Sequence, residues 1–144
     1  MAFRMDLTPP FFGLNRILNV SSKVGPNADC SNNSNDVELV QRLLALMIPG
    51  TPSLAALGFG LPAPTGRFDA LTGFYIFQTQ ASVRNLPFGR GEIVDGCVSR
   101  ARGASYGQQG FWTIVVLNLN AKEKNPAGFA LLMNTFPVTP TVGT

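Results

Sequence analysis

The spacing of apolar residues predicts two helices in the middle of this chain. Val37, Val40, Leu44 and Met47 recur at steps of three, four and three, and Leu43 widens the stripe. This rhythm predicts a helix across "DVELVQRLLALMI", residues 36–48. Asn35 or Ser34 stands at its N-cap, with Glu38 three residues after Asn35 as in a capping box. Pro49-Gly50 stops it. The second helix lies in "GRFDALTGFYIFQTQ", residues 66–80, which opens as a turn. Asp69 is its N-cap, with Thr72 three residues on. Thr72, Tyr75, Ile76 and Thr79 share one side, and Phe68 and Leu71 extend it. Gly73 costs the helix about 1 kcal/mol and permits a close approach. Phe74 and Phe77 point elsewhere, so this helix is apolar on more than one side. Complete burial and an interface both account for that.

The flanking segments are less regular. Residues 1–20 are rich in apolar anchors, among them Phe3, Phe11 and Phe12, and are broken by Pro9 and Pro10. They predict a strand or extended arm that packs on its own domain or on a neighbouring subunit. Residues 21–35 are turn-forming, and residues 49–66 are rich in Pro and Gly with one helical turn at 53–57. Asp95-Gly96, with Ile93, Val94 and Val98, predicts a short hairpin. "FWTIVVLNLN", residues 111–120, favours a strand by its β-branched content, while its length suits a short buried helix nearly as well. The tail from residue 121 starts polar and turns apolar around Phe129 and Phe136. It predicts a second arm.

A chain of 144 residues with this apolar content suits one domain. The net charge of +3, with basic residues scattered, argues against nucleic acid as a partner. There is no histidine, which removes the commonest neutral-pH base and the commonest zinc ligand. The two cysteines, Cys30 and Cys97, make a poor zinc site and are expected as free thiols, with one disulfide as the alternative. Asp6 and the prolines interrupt any secretory apolar core, and no stretch is long enough to span a membrane. The expectation is a protein made and kept soluble in its producing cell, able to leave by lysis or within a particle.

Catalysis finds little support. Glu38, Asp69, Glu92 and Asp95 share no demonstrable face, Cys97 lacks a histidine base, and Ser99 with Arg100 and Arg102 makes no triad. "GFG" at 58–60 and "GRG" at 89–91 read as ordinary turns rather than phosphate loops. Neither a cofactor nor a metal is expected.

Two segments together carry a resemblance. One is "VGPNADCSNNSNDVELVQRLL". The other is "PTGRFDALTGFYIFQTQ", followed by "DGCVSRARG" and Trp112-Thr113. The combination resembles the small three-helix peptidoglycan-binding domain across roughly residues 20–120. Gln41 matches its first-helix glutamine, Gly66-Arg67-Phe68-Asp69 its turn, Thr72 its helix-start threonine and Gln80 its second glutamine. Asp95-Gly96 and Val98 match its last turn. Trp112 falls at the start of its final helix, which argues for helix over strand there. Thr79, where the family prefers phenylalanine, departs from the pattern. So do Phe74 and Tyr75 in place of small residues, and the long loops.

The resemblance implies a mainly α fold: a three-helix peptidoglycan-binding-like core at 21–120 with long loops, and extended arms at 1–20 and 121–144. It implies Gln41, Arg67, Asp69, Gln80 and Trp112 as wall-ligand contacts, with Tyr75, Tyr106, Arg90 and Arg100 as supporting candidates. For the two glutamines a structural reading stands beside this one, in which each amide bonds a loop carbonyl and holds the helices in register. Domains of this kind also serve as structural modules in phage particles and contractile injection machines. The apolar ends favour that use, with Phe3, Phe11, Phe12, Phe74, Phe77, Phe129 and Phe136 as interface residues. The leading expectation is therefore a non-enzymatic particle component bound to other subunits through its arms, and the alternative is a wall-binding module.

Overall fold

A computed structural model describes residues 1–86, 93–103 and 111–137. The fold is mainly α with a small β element. Strands β1 (Phe3–Phe11) and β2 (Leu14–Asn19) form an antiparallel hairpin. Helices α1 (Ser34–Met47), α2 (Pro52–Ala55), α3 (Ala70–Arg84), α4 (Thr113–Lys124) and α5 (Pro126–Met133) follow. No helix among the described residues is long and apolar enough to cross a membrane.

The N-terminal stretch, expected as an arm, is a hairpin laid on the chain's own helices. Phe12 and Gly13 both take positive φ, 47° and 79°, so the strands join through a two-residue turn that matches their twist. Phe3 pairs with Asn19 and Met5 with Ile17, and the register breaks between Asp6 and Phe11, where the two prolines sit. Leu7, Leu14, Ile17 and Leu18 are buried.

α1 packs chiefly on α4, and α4 also meets β2 and α5. Leu43 and Leu44 of α1 meet Ile114 and Leu117 of α4 in one core, each fully buried. The segment 111–120 is thus a helix from Thr113 on, against its β propensity. Ile114, Val115, Val116 and Leu117 are all buried, so packing on every side outweighs the preference of their branched side chains. The C-terminal stretch is likewise no free arm up to Pro137. Asn125 caps α5 by accepting from the Gly128 amide at 3.0 Å, and Phe129, Leu132 and Phe136 are buried in the common core.

Two local expectations change. α1 begins at Ser34 with Asn33 as N-cap, and Asp36 rather than Glu38 turns back from its first turn. The shorter Asp36 side chain meets the loop at 21–22 and accepts from the amides and hydroxyls of Ser21 and Ser22 at 2.8–3.1 Å. Glu38 instead pairs with Arg42 one turn on. Val98 does not close a local hairpin with Ile93 and Val94. It bridges Val24 across the chain, with N–O distances of 2.9 and 2.7 Å.

The start of α3 is as expected. The Asp69 carboxylate accepts from the Thr72 amide at 2.8 Å and its hydroxyl at 2.6 Å. Asp69→Ala should therefore destabilise the protein by about 1 kcal/mol, read as a lower urea midpoint at unchanged slope. Gly73 makes room for the Phe68 ring, whose Cζ would lie 2.9 Å from a Cβ at that position.

Candidate functional site

The glutamines nominated as ligand contacts sit at the centre of two matching constructions. Gln41 is buried on α1. Its Oε1 accepts from the Gly66 amide at 3.0 Å, and its Nε2 donates to the Arg67 carbonyl at 2.9 Å and the Thr72 hydroxyl at 3.2 Å. Gln80 is buried on α3. Its Oε1 accepts from the Gly96 amide at 2.8 Å, and its Nε2 donates to the Cys97 carbonyl at 2.8 Å and the Thr113 hydroxyl at 3.0 Å. In each case a helix-borne amide grips a glycine at positive φ, 75° or 76°, and the carbonyl one residue on. The same amide also bonds a threonine in the first turn of the helix after that loop, Thr72 of α3 or Thr113 of α4. An amide side chain suits this work because it carries an acceptor and two donors at fixed geometry.

Three asparagines act similarly. Asn19 accepts from the Ala101 amide and donates to its carbonyl, and Asn32 does the same to Gly25. Asn118 bonds both backbone groups of Leu18 at 2.8 Å, and donates also to the Ile114 carbonyl. Long loops with little sheet leave buried backbone groups without ladder partners. These five amides supply partners, and that is why so irregular a chain holds its loops.

The proposed ligand contacts therefore fall into two places. Gln41, Arg67, Asp69 and Thr72 surround the loop before α3, with the Arg67 and Asp69 side chains exposed. Gln80, Asp95, Ser99, Trp112 and Thr113 line a separate cleft of about 260 Å³. Trp112 is half-buried against the core. The Tyr75 ring is buried, and its hydroxyl donates to the Gly60 carbonyl at 2.8 Å. The Arg100 guanidinium lies 5.0 Å above the Phe3 ring. Arg90, Glu92 and Tyr106 lie outside the described residues.

The residues nominated for an interface also divide. Phe3, Phe129 and Phe136 are buried inside the chain itself, and Phe11 is half-buried. Phe12 is exposed at the hairpin tip, beside an apolar groove of about 350 Å³ between α3 and α4. On α3, Phe77 is exposed on the outer side, while Phe74 is half-buried and packs against the core. The Phe59 ring meets Phe74 edge-on at 5.4 Å, which sets the loop at 57–61 against that side. Phe59 is 59% exposed and Phe77 47%, with Leu57 and Leu61 exposed beside Phe59 in the chain. The sequence pattern marked Phe74 and Phe77 but missed Phe59. Its signal was a bulky aromatic flanked by glycines in a loop, without a helical stripe to bury it.

Among the described residues no group of His, Cys, Asp or Glu is placed to hold a metal ion. Comparison with protein-family models, with curated proteins and with solved structures found no match.

Proposed function

We propose that this chain is a non-enzymatic interaction protein, a structural component of a phage or phage-like particle built on a peptidoglycan-binding-like core. Its contact surface is the outer side of α3 with the 57–61 loop, and its partner there is a second copy of the same chain. The observation that carries this reading is the aromatic face formed by exposed Phe59 and Phe77 with half-buried Phe74. An exposed apolar surface of this kind is characteristic of an interaction site. Its residues, with Leu57 and Leu61, are all uncharged, so two copies of the face meet without opposed like charges. The glutamines nominated for ligand contact are already engaged with the chain's own loops, which weighs against the wall-binding alternative.

Light scattering across a concentration range tests this. The wild type should show a defined oligomer, and Phe59→Ser with Phe77→Ser should give the mass of one chain with an unchanged circular dichroism spectrum. A wild type that remains a single chain throughout would contradict the proposal. If that single chain also sedimented with purified sacculi, the wall-binding reading would take its place.

A further inference from the structure

Two loops far apart in sequence meet where Val24 bridges Val98, and each brings a cysteine to the junction. Cys30 Sγ and Cys97 Sγ lie 3.5 Å apart across a separation of 67 residues. Gly25 runs between them. A Cβ there would stand 2.7 Å from Cys97 Sγ and 3.1 Å from Cys30 Sγ, so the absence of a side chain is what lets the thiols face each other. The neighbouring backbone is held by the Asn32 clamp on Gly25 and the Gln80 clamp on Gly96 and Cys97. The junction is thus fixed by bonds that do not involve sulfur.

We infer that Cys30 and Cys97 form an oxidisable dithiol that closes to an intrachain disulfide on reaction with a small-molecule disulfide, stapling the 21–33 loop to the 95–98 turn. The two sulfurs are not equivalent. Cys30 is partly exposed, while Cys97 is buried, at 4% exposure. Burial, with the hydrogen bond to Cys30, pushes the Cys97 thiol up to about 12. Cys30 is therefore the entry point. Its thiolate attacks one sulfur of the small disulfide and expels one small thiolate. Cys97 then loses its proton to that thiolate and attacks Cys30 Sγ, expelling the second. Two protein thiols and one small disulfide become one protein disulfide and two small thiols, so atoms and electrons balance. The inference is independent of what the aromatic face of α3 meets.

The test uses the full chain and oxidised glutathione, read by intact mass after unfolding and maleimide labelling. The wild type should become two hydrogens lighter, take no label and melt about 10 °C higher than the reduced protein, reversibly with dithiothreitol. Cys97→Ser should stop at one glutathione on Cys30. A wild type that keeps two free thiols, retains glutathione on Cys30 or links two chains would overturn the inference. So would an intrachain disulfide that leaves the melting temperature unchanged.

Discussion

Gln80→Leu should lower the stability of the protein by about 3–4 kcal/mol, although leucine fills much the same volume. The glutamine is 1% exposed. Its removal leaves the buried Gly96 amide and Cys97 carbonyl without their partner, and takes one from the Thr113 hydroxyl. Gly96 occupies positive φ and cannot turn its amide elsewhere without losing the turn. For a domain of this size the loss should appear as a fall of about 10 °C in Tm. Because the same turn carries Cys97 into the interior, maleimide labelling of native Cys97 should rise along with the loss. A Tm within a few degrees of wild type would mean that water replaces the amide and that the clamp is not structural.

Asn118→Leu should cost a similar amount, about 3–4 kcal/mol, through a different part of the fold. Asn118 is fully buried on α4, and its amide bonds the N–H and C=O of Leu18 on β2. It is a polar tie between the hairpin and the helices. Neither backbone group of Leu18 can reach water once the hairpin is seated, so both would be stranded. The expected sign is local as well as global. Amide exchange in residues 14–19 should accelerate more than in α1, and urea unfolding should remain one cooperative transition. Protection of β2 equal to wild type would show that apolar packing alone seats the hairpin.

Both predictions concern features that the pattern of the chain shows only in part. α1 was legible because its apolar stripe is clean and its stop is a Pro-Gly pair. α3 was legible from Asp69 and Thr72, which cap it locally. α4 gave no rhythm, since Ile114 to Leu117 are buried on all sides and a helix without a polar face has no period to read. The hairpin escaped notice because pairing Phe3 with Asn19 depends on contacts with distant helices. The order of Gln41, Gly66 and Thr72, then Gln80, Gly96 and Thr113, was visible through the family resemblance. That each amide bonds a loop carbonyl was one of the two readings the sequence offered; which backbone atoms it grips was not legible, because backbone groups have no identity in a sequence. Asn19, Asn32 and Asn118 carried no signal at all. Their partners are main-chain atoms of Ala101, Gly25 and Leu18 that any residue but proline could supply. The aromatic face was half legible. Phe74 and Phe77 departed from the stripe, and Phe59 joined them only through tertiary structure.

The two glutamines that looked available for a ligand are holding loops, while Phe77 is left in water on α3. The central claim is therefore that copies of the chain meet through Phe59, Phe74 and Phe77. Hydroxyl-radical footprinting with mass spectrometry, run at rising protein concentration, tests it most directly. The account predicts that oxidation of Phe59, Phe74 and Phe77 falls as concentration rises, while oxidation of exposed Leu131 does not. Unchanged oxidation of the three phenylalanines across a range in which the protein's mass rises would contradict it, because the copies would then be meeting elsewhere.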